Sequence, residues 1–305
     1  MSQSPSGGRS NEDSYVHSSE SKLKKGILEK LRKLVRLSHI HFPKEEIDET
    51  SLPLQIGSNV TVKQYNKFLD RKAPRGYKYQ RHDNGNVFII DMSNPEHSYL
   101  VALLIQLFGA YNAGFPTFNR PIKAQSDTFH YNPNGTGVKI APDLAIAPNK
   151  HYVPKPIVPH PGPPPSDING NSHARIVVEI ANYQSTESWI TKCELWLQET
   201  YVRYVFGIKL HNPRNVRDLQ GRRLRAMTAR LWTQGTAGYQ EWDFGTIPKD
   251  TNIYPGLPIP TTACTGPGLL NFTVSIPVKE VFYDPPNPVP PGYSPVIPAG
   301  LTINP

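Results

Sequence analysis

Hydrophobic and polar positions follow two rhythms along this chain, one with the period of a helix and one with that of a strand. Leu23, Ile27, Leu31, Leu34 and Val35 recur at helical spacing among lysines and arginines, which predicts a basic amphipathic helix over 21–37. A shorter helix is predicted over 61–69. Residues 77–81 and 86–91 read as strands around Asp83-Asn-Gly-Asn, a turn signal, and so predict a hairpin. Ser93-Asn-Pro-Glu then caps an apolar helix over 97–111, which Gly114 ends. Strands follow over 121–125, 137–145 and 175–181, then a helix over 185–200 and a strand over 201–210. Later strand candidates are 224–233 and 269–276. The middle of the chain therefore predicts an α/β core, one mixed sheet flanked by helices.

Two acids break the apolar pattern. Asp143 lies in Ala141-Pro-Asp-Leu-Ala-Ile-Ala-Pro148, and Glu179 lies in Ala174-Arg-Ile-Val-Val-Glu-Ile-Ala181. A carboxylate in a β-branched run is costly to bury unless a cation compensates it. Two of them on neighbouring strands suggest a shared Mg2+ or Mn2+, which prefer hard oxygen ligands. Lys192 follows thirteen positions after Glu179 in a helical stretch. Each has a plainer reading as well: a turn residue for Asp143, a structural ion pair for Glu179, a solvated helix charge for Lys192.

Outside the core the composition changes. Residues 1–20 are Ser-rich and predicted to be a disordered tail, and 21–50 hold the basic helix and a linker. The main domain is expected over 51–283, interrupted by a proline-rich insertion over 149–172, with a proline-rich tail over 284–305. No window approaches the roughly 18 apolar residues of a membrane helix, and no apolar signal-peptide core follows Met1. Cys193 and Cys264 are too few for a disulfide framework or a four-cysteine zinc site, so an intracellular, reducing location is expected, with the nucleus open to a eukaryotic protein.

The net charge of +8 is concentrated rather than spread. Residues 21–44 carry eight Lys or Arg against Glu29, and 203–230 carry eight against Asp218. Such clusters attract polyanions, nucleic acid first among them. Arg203, Lys209, Arg222, Arg223 and Arg225 are the candidate phosphate contacts. Phosphate loops, nucleophile elbows and zinc helices are missing as motifs.

The order of the segments carries a resemblance. Asp83-Asn-Gly-Asn-Val-Phe-Ile-Ile, a helix opened by His97, Ala141-Pro-Asp-Leu-Ala-Ile, Ile176-Val-Val-Glu-Ile-Ala-Asn, Lys192 and Tyr201-Val-Arg-Tyr-Val-Phe-Gly-Ile resemble a restriction endonuclease domain family of the PD-(D/E)xK nuclease superfamily. The resemblance covers roughly residues 75–210. It implies a restriction-endonuclease-like core and a Mg2+- or Mn2+-dependent nuclease, an endonuclease acting on DNA. It also implies Asp143 and Glu179 as metal ligands completed by the Ile180 carbonyl, Lys192 as the catalytic lysine, and His97 and Asn182 as supporting residues. Superfamily members usually carry Lys where this chain has Ala181, and the related family has Asp where this chain has Ser188. An alternative therefore stands beside it: a catalytically degenerate nuclease fold that binds nucleic acid or protein without cutting. A homodimer, and adaptor docking through the proline-rich segments, are compatible with both.

Overall fold

Capping and turn chemistry set the order of elements in the computed structural model, which describes residues 40–153, 166–218, 220–252, 260–264, 266, 268–283 and 300–303. After β1 (Leu54–Gly57), α1 (Val62–Arg71) starts where Thr61 and Gln64 close a reciprocal capping box. β2 (Tyr77–Arg81) and β3 (Val87–Met92) form the predicted hairpin, with Gly85 in the left-handed region at φ 84°. These three strands pair antiparallel in the order β1-β3-β2. α2 (Pro95–Ala110) begins earlier than predicted, because Asn94 accepts from the His97 backbone N–H and Pro95 suits the first turn.

The larger sheet is built from the most apolar runs. β4 (Ile122–Gln125), β7 (Leu144–Pro148), β8 (Ile176–Ala181), β9 (Tyr204–Leu210), β10 (Ala226–Thr233) and β11 (Gln240–Gly245) form six strands in the order β11-β10-β9-β8-β7-β4. β8 and β9 run parallel, joined through α3 (Thr186–Trp196); the other pairs are antiparallel, which makes the sheet mixed. β5 (His130–Tyr131) and β6 (Lys139–Ile140) make a two-stranded hairpin, and β12 (Val274–Pro277) pairs with β13 (Gly300–Ile303).

Side-chain alternation divides the core. Ile176, Val178 and Ile180 of β8 pack with Leu104 and Phe108 of α2 in one cluster. Val177 and Ala181 face the other way, onto Trp189, Cys193 and Trp196 of α3. Glu179 lies between Val177 and Ala181, so its carboxylate is directed to the α3 side. This alternation places a charged group inside an apolar layer.

The structure departs from the sequence expectations at several points. The strand expected over 137–145 is split into β6 and β7, because Pro142 lacks an N–H and restricts its neighbour, which leaves Asp143 just before β7. β11 was not foreseen; it is a mostly polar edge strand, where one wet face weakens the apolar signal. The tail predicted over 1–20, the helix predicted over 21–37, half of the proline-rich insertion (154–165) and most of the tail over 284–305 lie outside the described residues. No helix among the described residues is long and apolar enough to cross a membrane.

Candidate active site

Asp143 and Glu179 meet because β7 and β8 are neighbours, with Leu144 opposite Val178. Both carboxylates are buried, Asp143 to 6% exposure and Glu179 to 1%. Asp143 Oδ2 accepts from the Ile180 backbone N–H at 2.6 Å, which ties the start of one strand to the end of the other. Asp143 Oδ1 lies 3.1 Å from His97 Nε2, so the N-terminal turn of α2 braces the second oxygen. Glu179 is held from α3: Trp196 Nε1 donates to Oε1 at 2.7 Å and Lys192 Nζ donates to Oε2 at 2.8 Å. Trp189, Lys192, Cys193 and Trp196 stand three or four residues apart, which puts them on one face of α3.

The close fit of α3 depends on Gly207, the β9 partner of Glu179 in the parallel ladder. A Cβ at Gly207 would lie 2.5 Å from Trp189 and 2.8 Å from Trp232. Without it, the Trp189 indole reaches the sheet and donates to the Glu179 carbonyl at 3.2 Å.

A second lysine, absent from the sequence reading, completes the site. Lys78 of β2 donates to Asp143 Oδ2 at 2.6 Å and to the Ile180 carbonyl at 2.5 Å, and its Nζ lies 3.8 Å from Glu179 Oε2. Lys78 stands opposite Asp91, and the β2–β3 register then skips Ile90, a bulge that re-aims the strand where it reaches the large sheet. Asp91, 1% exposed, also went unread. Its carboxylate accepts from the backbone N–H groups of Asn182 and Tyr183 at 2.8 Å each, fastening the small sheet to the end of β8.

Burial and charge act together on these groups. Burial alone would lower Lys78, but Asp143 and Glu179 hold its ammonium above the usual lysine range. Burial alone would raise Asp143, but the Lys78 charge and the His97 hydrogen bond hold it below the usual carboxylate range. Glu179 is pushed up, first by burial, with Asp143 adding to the rise against Lys192 and Lys78. Burial also pushes the Cys193 thiol up, as suits a core residue rather than a nucleophile.

The site opens into a cleft of about 620 Å³ lined by exposed Arg71 and Arg75, by Lys139 and by Asp127. The predicted phosphate contacts lie elsewhere, and most are engaged internally. Arg203 pairs with Glu280 and stacks on Tyr283, and Lys209 is buried, donating to the Asn182 and Gln184 carbonyls. Burial lowers Lys209 to about 8. Arg225 is bound to Glu96, to the Asn182 side chain and to the His211 carbonyl. Arg222 pairs with Asp218, while Arg223 is exposed and shares a surface pocket with Arg225. Asn182 is fully buried, and its role is to join Asp91, Lys209 and Arg225.

Among the described residues no three His, Cys, Asp or Glu side chains cluster as a metal site. The candidate donor set is two carboxylates and a carbonyl: Asp143 Oδ2 and Ile180 O, both bonded to the Lys78 ammonium, and Glu179 Oε2, which lies 3.8 Å from it and is bonded to Lys192. Comparison of the chain with protein-family models, with curated proteins and with solved structures finds no match.

Proposed function

We propose that this chain is a divalent-metal-dependent nuclease with a restriction-endonuclease-like core, an endonuclease that hydrolyses phosphodiester bonds in DNA. The observation that carries the reading is the convergence of Asp143 Oδ2, Glu179 Oε2 and the Ile180 carbonyl on one cation position. These are hard oxygen donors of the kind Mg2+ and Mn2+ prefer, and the Lys78 ammonium bonded to Asp143 Oδ2 and the Ile180 carbonyl supports the reading of this point as a cation position. Asp143, Glu179 and Ile180 would hold the ion. Bound there, a divalent ion supplies charge neutralisation at the phosphate and a water of lowered pKa.

The remaining work falls to the chain's own residues. His97 and the Ile180 N–H fix the Asp143 carboxylate, and Trp196 fixes Glu179 so that Oε2 faces the cation position. Lys192, bound to that same oxygen, keeps a positive charge beside the reacting phosphate, where it offsets developing negative charge or orients the attacking water. Arg71 and Arg75 at the cleft rim bind flanking phosphates in a salt-dependent way.

A second reading, a nuclease fold that binds nucleic acid without cutting it, is favoured by one observation: Lys78 already satisfies the converging oxygens. Supercoiled plasmid incubated with the protein and Mg2+ or Mn2+ decides between the two. Nicking by wild type that EDTA and Asp143→Ala both abolish supports hydrolysis. Binding without nicking under every metal condition leaves the second reading.

A further inference from the structure

The oxygens suited to a divalent ion hold a lysine. Lys78 Nζ lies 2.6 Å from Asp143 Oδ2 and 2.5 Å from the Ile180 carbonyl. A metal bound to those same two oxygens, at about 2.0–2.6 Å, would occupy nearly the same point, so the two cations exclude each other. We propose that Lys78 is a tethered cation competing with the divalent ion for one position, so that the site takes metal only when this side chain swings out; the inference rests on the hydrolase reading above.

Charge leads to the same conclusion. Two carboxylates, Asp143 and Glu179, are matched by two ammonium groups, Lys78 and Lys192. A divalent ion added with Lys78 in place would leave an excess of two positive charges in a buried site, which is costly. With Lys78 withdrawn the excess is one, the charge a single phosphodiester brings. The exit exists. The Lys78 side chain is 15% exposed and lines the cleft, and its flexible four-carbon stem can turn toward Asp127, a carboxylate on the same cleft.

This device lowers the apparent metal affinity by the fraction of time the lysine is withdrawn; withdrawal a tenth of the time weakens it about tenfold. It also keeps two buried carboxylates neutralised without metal. The site thus stays neutralised by its own lysine until a divalent ion displaces it.

The test is Mn2+ binding to the full chain, read by electron paramagnetic resonance and by the rise of Tm with Mn2+, without any activity measurement. Four proteins are compared: wild type, Lys78→Met, Lys139→Met and the double variant Lys78→Met with Asp143→Asn. Lys139 lines the same cleft but pairs with Asp70, so its variant makes the same charge change away from the converging oxygens. The expected result is Lys78→Met binding Mn2+ at least about tenfold more tightly than wild type. Lys139→Met should match wild type, and the double variant should lose binding. Equal affinity in wild type and Lys78→Met overturns the competition and leaves the hydrolase reading standing. No Mn2+ binding by any of the four at millimolar concentration overturns both. Should Lys78→Met not fold, acylation of the Lys78 amine in wild type takes its place: Mn2+ should increase its labelling. Labelling that Mn2+ leaves unchanged overturns the proposal.

Discussion

The two buried histidines behind Glu179 should make the fold sensitive to mild acid. His130 and His173 are each 1% exposed, with ring centroids 4.4 Å apart, and the His130 ring packs edge-on to Trp196, the residue that holds Glu179 Oε1. Burial lowers His130 to about 4 and pushes His173 well below the usual imidazole range, with the neighbouring His130 adding to the shift. Both stay neutral in the native state while the unfolded chain takes up protons below about pH 6.5. The unfolded state then binds more protons, so stability falls as pH falls from about 6.5 toward 4. For His130 the loss between pH 7 and pH 5 is roughly 2 kcal/mol, and His173 adds to it with the same sign. That is a large share of a typical domain's stability of about 5–15 kcal/mol. Half-buried His211 is lowered as well, by burial first and Lys209 second, and adds with the same sign; Glu179, raised by burial, works against it. The readout is therefore a difference of slopes. Urea unfolding at pH 7, 6 and 5 should show a shallower acid loss in His130→Asn and His173→Asn than in wild type, whatever their absolute stability. Identical slopes would refute the reasoning.

Gly207→Ala should destabilise by about 1–3 kcal/mol or more, because its Cβ overlaps two tryptophans packed in the α3 layer, and the loss should appear in the denaturant midpoint. Trp196→Phe leaves Glu179 Oε1 buried without its donor, an expected cost of about 1–3 kcal/mol by the same assay. Asp91→Asn removes the negative charge that accepts the Asn182 and Tyr183 N–H groups, and about 1.5–3 kcal/mol should be lost. Amide hydrogen exchange at Asn182 and Tyr183 should speed up in that variant, and unchanged protection would count against the role assigned to Asp91.

The local rules exposed most strands of the large sheet, the β2–β3 hairpin, the capped helices and the two acids. Asp143 and Glu179 were legible because a carboxylate in an apolar run is expensive wherever the chain folds. The same signal was present at Asp91, which ends Val87-Phe-Ile-Ile-Asp91, and was read there as the end of a hairpin. Lys192 could be placed on a helix with Glu179 as a possible ion-pair partner, and the packing of α3 on β8 makes that pair. Lys78 had no local signal. Its position depends on a bulge and on the docking of one sheet against another, sixty-five residues in sequence from Asp143. The basic run over 203–230 was legible as charge but not as exposure. Arg203, Lys209 and Arg225 carry that charge inward, to Glu280, to backbone carbonyls and to Glu96.

The most direct test of the account compares cleavage at matched DNA occupancy, using an end-labelled duplex, excess protein and saturating Mn2+. Glu179→Gln keeps the size of the side chain and the Trp196 contact but removes the charge that binds Lys192 and faces the cation position. The account predicts DNA binding like that of wild type and a cleavage rate lower by about 100-fold or more. Equal cleavage by the two proteins, or no cleavage by wild type on fully bound DNA, would contradict it.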